Sequence, residues 1–158
     1  MKNLYPFLLL IIIISCGSTN ETGSIQPPNQ NSEKAAVVSV SITGNENAYT
    51  FSVGVLSPDT GCNQYADWWE VTSESGSLIY RRILAHSHVN EQPFIRSGGS
   101  INIREDQIVI VRVHMNTSGY GTRTFKGSVS GGFVAFETDQ NFATDLANKQ
   151  PLPSSCAF

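Results

Sequence analysis

Three histidines are the side chains best suited to chemistry in this chain. His86 and His88 stand two apart in AHSH, and His114 lies near the end of the run QIVIVRVHM. On an extended strand, residues two apart share a face with their Cα atoms roughly 6–7 Å apart, a spacing at which two imidazoles can bind one metal ion. If His114 joins them, with Met115 or a carboxylate close by, the set suits copper or zinc ahead of calcium. Met115 falls on the opposite strand face from His114, which counts against a His–Met copper site. The other reading of the same three residues is a group of hydrogen-bonding surface side chains.

A second set is aromatic and polar. Asp67, Trp68, Asn116 and Tyr120, with Tyr65 and Tyr80 in support, could grip a protein, a glycan or a small ligand. In ADWWEV the two indoles point to opposite faces, which predicts that one is core and the other open. Plain core and strand-edge packing is the competing account. Arg81, Arg82 and Arg112 are expected to form a solvated or carboxylate-paired face with Glu70 and Asp67. Asp59 with Asp67, and Glu105 with Asp106, lack calcium-loop spacing and read as solvated turn residues. No Gly-x-Ser-x-Gly elbow, HExxH helix or phosphate-cradling glycine loop occurs. Glu91 is the one carboxylate near the histidines that could serve as a base, so a hydrolase is the least supported class. The expected role is non-enzymatic.

The elements that must position these residues are strands. VVSVSIT (37–43) places Val38, Val40 and Ile42 on one face, and YTFSVGVL (49–56) places Tyr49, Phe51, Val53 and Val55 on one face. The Gly44–Asn47 turn joins them, and SPDTGCNQ (57–64) is a loop. Trp69 and Val71 share a face in the third strand, with Trp68 and Glu70 opposite. A tight turn at Glu74–Gly76 leads into SLIYRRIL (77–84), and FIR (94–96) and SINI (100–103) are short candidates separated by Gly98-Gly99. In the next strand Val109, Val111, Val113 and Met115 point one way, and Ile108, Ile110, Arg112 and His114 the other. FKGSVSGGFVAF (125–136) reads as a final strand, with Phe125, Val129 and Phe133 on one face. Residues 137–150 can form a helical turn or two.

About seven or eight short strands with turns between them predict an all-β fold, an antiparallel sandwich over residues 36–136 with residues 137–158 as a tail packed on it. The order resembles an immunoglobulin-like or fibronectin-type domain in architecture, without the Cys…Trp…Cys spacing of antibody domains. A jelly roll or small barrel is the other all-β solution. The resemblance implies that the loops carrying Asp59, Cys62 and Asp67 meet Asn116, Tyr120 and the three histidines at one pole, where variable domains keep their binding loops.

The first sixteen residues, MKNLYPFLLLIIIISC, combine a positive start at Lys2, an apolar run and a small residue before cysteine. The run is shorter than the ~20 residues that span a bilayer, so it reads as a cleaved signal (1–15) and not an anchor helix. Ile13-Ile14-Ser15-Cys16 resembles a bacterial lipobox, which implies acylation of Cys16, export, and attachment to the membrane of the cell envelope through lipid. Gly17 and Ser18 lack the Asp of lipoproteins held at the inner membrane, which implies the outer membrane in a Gram-negative host. Residues 16–35, rich in Ser, Asn, Gly and Pro, cannot bury enough apolar area to order and read as a tether.

Without residues 1–15 the chain carries nine basic and thirteen acidic side chains, a formal net charge of −4. No basic cluster exceeds Arg81-Arg82, which excludes a phosphate-neutralising nucleic-acid surface. Cys62 and Cys156 remain. In an exported protein an even pair is expected to be bridged, closing the tail onto the domain, and a buried or metal-bound thiol is the alternative.

Overall fold

The computed structural model describes residues 33–157. The signal, Cys16 and most of the tether lie outside the described residues. Nine strands form two antiparallel sheets. β1 (Ala36–Asn45), β2 (Ala48–Leu56) and β5 (Phe94–Ile101) make a three-stranded sheet in the order β1-β2-β5. β3 (Ala66–Ser73), β4 (Leu78–Ile83), β6 (Val109–Met115), β8 (Arg123–Ser128) and β9 (Gly132–Glu137) form the larger sheet, in the order β4-β3-β6-β8-β9. The two-residue β7 (Gly119–Tyr120) adds to β6. The protein is thus an all-β sandwich. Among the described residues no helix is long and apolar enough to cross a membrane.

The core between the sheets is the set that two-residue alternation selects. Phe51, Val53 and Val55 of β2 meet Trp69 and Val71 of β3 and Val109, Val111, Val113 and Met115 of β6, all fully buried. At roughly 1.5–3 kcal/mol for each large apolar side chain, this face supplies most of the drive to pair the sheets.

Three departures from strict alternation have local causes. In β1 the partner of Val37 is Val55, but the partner of Ser39 is Gly54, so Val38 is bulged. The extra residue puts Val37 into the core in place of Val38, while Val40 and Ile42 stay on the core side. A Cβ at Gly54 would run into Ser39 Oγ, so the bulge needs glycine there. The expected separate strands at 94–96 and 100–103 are one strand, β5, because Gly98 lets its backbone pass close under Tyr80 and Arg82 of the facing sheet. The expected single strand over 125–136 is a hairpin. It reverses at 129–131, so that Phe125 of β8 opposes Ala135 of β9, while Phe125, Val129 and Phe133 all still pack on the core.

The outer face of the larger sheet is where the expectation of a solvated surface fails. Every residue of β6 is buried, and so is every residue of β3 except Ser73. Residues 138–157 run across this face and include a short 3-10 helix at Thr144–Asn148. Leu146 of that helix is buried against Trp68 and Tyr120, with Ile83, Ala143 and Leu152 around them. This makes a second, smaller core on the far side of the sheet.

Candidate functional site

Beneath the tail lies a buried ion triad. Glu70 sits on β3 between β4 and β6, and its cross-strand partners are Arg81 and Arg112. Arg81 Nε donates to Glu70 Oε2 at 2.7 Å, and Arg112 Nε donates to Oε1 at 2.8 Å. Glu70 and Arg112 are almost wholly inaccessible, and Arg81 nearly so. The remaining guanidinium N–H groups grip the tail. Arg112 reaches the carbonyls of Phe142 and Ala143 at 2.6 and 2.8 Å. Arg81 reaches those of Leu146, Lys149 and Pro151 at 2.7, 2.6 and 3.0 Å. A segment with little regular hydrogen bonding thus has its inward-turned carbonyls satisfied by two arginines. The expected carboxylate-paired face exists, but it is buried. Arg82 takes no part and donates instead to Ser97 O, at 3.1 Å. Asp67 pairs elsewhere.

Next to the triad the aromatic residues are stacked together. The His114 ring lies flat on Trp68, with centroids 3.8 Å apart. Arg81, on the strand at the other side of β3, places its guanidinium 4.4 Å from the indole centroid. Tyr120 meets both rings edge-on and carries the Arg112 guanidinium 3.5 Å from its own centroid. Burial, and then the Glu70 charge, push the Tyr120 phenol well above its ordinary range. Both indoles are therefore buried, Trp69 in the main core and Trp68 under the tail. Trp68 has no free face on which a sugar could stack.

The three histidines do not gather at one centre. His114 Nδ1 is 2.7 Å from Asp67 Oδ1, which holds the ring against Trp68. Met115 is in the main core on the opposite face. His86 is exposed and His88 is 2% exposed, with their ring centroids 4.4 Å apart. The His88 ring stacks on Phe94 at 3.8 Å, and neither of its nitrogens has a hydrogen-bond partner. Among the described residues no group of three or more His, Cys, Asp or Glu side chains is placed to hold a metal ion. Glu91 is exposed and ion-paired with Arg96 at 2.7 Å, which holds its carboxyl below the usual range.

Asp59 is the loop residue that sequence reading placed wrongly. It is buried and joins three segments, accepting from Ser57 Oγ at 2.7 Å, Ala66 N at 2.9 Å and His88 N at 2.8 Å. Its position in an Asp- and Gly-containing loop gave no sign of these long-range bonds.

His88 gives a pH prediction. Burial, helped by the charges of Arg96 and His86, lowers its pKa from 6.5 to about 4. The unfolded chain therefore takes up a proton near pH 6.5 that the folded chain refuses until about pH 4. Stability contributed by the neutral ring is whole above the upper value and is lost as pH falls through this window. The expected loss is on the order of 3 kcal/mol. In His88→Phe, which keeps a ring on Phe94 and the backbone bond to Asp59, urea denaturation should show a shallower fall between pH 7 and pH 4. An unchanged slope would remove His88 as the cause.

The remaining candidates meet at a cleft of about 420 Å³. Its walls are the 62–68 segment, Asn116 and the tail from Ala147 to Cys156, and the Cys62–Cys156 disulfide forms part of it. Asp67, Trp68 and Asn116 all line it, whereas Tyr120 packs behind Trp68. The Asn116 side chain staples the walls together, accepting from Tyr65 N at 3.0 Å and donating to Cys62 O at 3.1 Å. Asp67 differs, because among the described residues the hydrogen bond its carboxylate makes is the one from Oδ1 to His114. Asp67, Trp68 and Asn116, expected from the sequence as ligand-binding, line the cleft together with Tyr65 and Cys62, whereas the tail side chains, Leu152 to Ser155, were not expected, because nothing local signals where the tail docks.

Comparison with known proteins adds one relationship. No protein-family model matches the chain, and no solved structure matches it. A protein of Halomicrobium mukohataei described as "Putative lipoprotein" is 40% identical over 90 residues, a match covering 56% of this chain and 44% of that protein. The similarity thus spans less than half the relative's length.

Proposed function

We propose that this chain is an exported protein of the cell envelope, lipid-anchored through Cys16, whose immunoglobulin-like sandwich is a non-enzymatic binding module. Its ligand site is the cleft at the pole of Asp67 and Asn116. A membrane carries the anchor, and an envelope protein, glycan or small molecule fills the cleft. In a Gram-negative host the sorting residues favour the outer membrane.

The observation that carries the proposal is a cleft walled by a disulfide. A bridge persists in oxidising compartments outside the cytoplasm, which supports export. The site is a shallow, open cleft of mixed polar and apolar lining, and its volume of about 420 Å³ suits a small molecule or the end of a chain. The Ile13–Cys16 pattern and the relative described as a lipoprotein support the anchor. The strand order β1-β2-β5 facing β4-β3-β6-β8 supports the immunoglobulin-like reading.

The anchor is tested by growing cells with an alkynyl palmitate and separating membranes. The wild-type chain should take up label and sediment with membranes. Cys16→Ser should abolish the label. Label retained in that variant would remove Cys16 as the lipidation site.

A further inference from the structure

We infer that the cleft recognises a small organic cation, a primary ammonium carried on a short apolar body, with Asp67 as the group that pairs with it. This rests on the cleft being a ligand site and names the chemistry it selects.

Asp67 is 5% exposed yet lines the cleft. A buried carboxylate needs its lone pairs met, and unmet ones are costly. His114 meets Oδ1 at 2.7 Å, and the backbone N–H groups nearby are committed elsewhere: Tyr65 N to Asn116 Oδ1 and Ala66 N to Asp59 Oδ1. Among the described residues that leaves Oδ2, on a residue that lines the cleft, to accept from a ligand.

The surrounding charges favour a donor. Asp59 is a second buried carboxylate close by, and the two charges, after burial itself, raise the Tyr65 phenol. The nearby cations are already engaged. Arg81 and Arg112 turn their N–H groups to Glu70, Tyr120 and tail carbonyls, and His114 is bonded to Asp67 itself. An anion entering here would meet Asp67 with no free guanidinium to offset it. An ammonium would make a charge-assisted bond to the carboxylate.

The other walls define the body of the ligand. Leu152, Pro153, Ala147, the disulfide and the edge of Trp68 are apolar, and Ser154 and Ser155 stand on the tail side. An aliphatic stem of a few carbons lies against the first group while its ammonium reaches Asp67. The same chemistry is offered by a free amine and by a lysine side chain on a protein.

The test uses the lipid-anchored protein in detergent micelles and three probes of one shape: n-butylammonium, n-butanol and butyrate. Binding is read by saturation-transfer NMR on the probes, with empty micelles as background. Butylammonium should bind saturably and about tenfold more tightly than butanol, the ratio expected for one charge-assisted hydrogen bond. Asp67→Asn, which can still accept from His114, should erase that preference. Ser154→Trp, an exposed tail substitution that fills the cleft, should abolish binding while leaving the melting temperature unchanged, so the result does not depend on how well the Asp67 variant folds. If butanol or butyrate binds as tightly as butylammonium, the cation assignment is overturned and the cleft stands as a site. If no probe binds saturably, the cleft reading falls as well. Nε-acetyl-lysine and lysine amides, run last, separate a side-chain partner from a free amine.

Discussion

Replacing Glu70 by alanine should destabilise the domain by about 3–5 kcal/mol, the cost of leaving buried charges unpaired. The effect should sit at the upper end, because one carboxylate neutralises two guanidinium groups, Arg81 and Arg112, that are buried with it. Without it the two like charges face each other across β3, and their grip on five tail carbonyls loses its fixed orientation. Glu70→Gln keeps the shape but not the charge and should recover only part of the loss. Urea denaturation followed by tryptophan fluorescence reads both variants, since Trp68 and Trp69 flank the site. A loss below about 1 kcal/mol for Glu70→Ala, within the range of an exposed ion pair, would mean the triad is not sealed from water.

The second large effect belongs to the disulfide. Cys62 and Cys156 are 94 residues apart in sequence, and cross-linking a loop of that length removes enough unfolded-state freedom to stabilise by about 4–5 kcal/mol in the chain-entropy model. Cys62→Ser with Cys156→Ser should therefore lower stability by about 2–5 kcal/mol, and a reducing agent should have the same effect on the wild-type melting temperature. The two perturbations share one object, the tail. Combined, Glu70→Ala and the double serine variant should cost less than the sum of their separate losses, because a tail released once cannot be released again. Strict additivity would show that the triad and the bridge stabilise independent parts.

Much of the fold was legible because period two is hard to disguise. Val109, Val111, Val113 and Met115 could belong to little else than a strand facing a core. What stayed hidden has two physical sources. Bulges and hairpins insert one residue or reverse the chain without breaking the apolar rhythm, as at Val38 and between Phe125 and Phe133. The burial of Trp68, Glu70, Arg112 and His114 depends on a cover contributed from residues 138–157, whose own sequence carries few large apolar side chains. The cover works through its backbone carbonyls, which every residue possesses and no composition reveals. The one available clue was electrostatic: a carboxylate on the middle strand with an arginine on each neighbour. The cleft was legible in three residues for the related reason that Asp67, Trp68 and Asn116 come from strand ends, whose meeting place topology decides. The histidines do not act as a set because His114 is held by Asp67 of β3, while the backbone of His88 is held by Asp59 from a separate loop.

That the tail completes the larger sheet has a consequence for timing. Synthesis runs from the N-terminus, so β3, β4 and β6 all exist before the residues that cover them. Until residues 138–157 have been made, Glu70 and its two arginines lie open to water, and the partner of Cys62 is missing. A nascent chain of this kind has no finished resting state to reach early. It becomes committed to its final form only after residues 138–157 have followed, which is the behaviour a chain needs if it is to be threaded elsewhere before it folds.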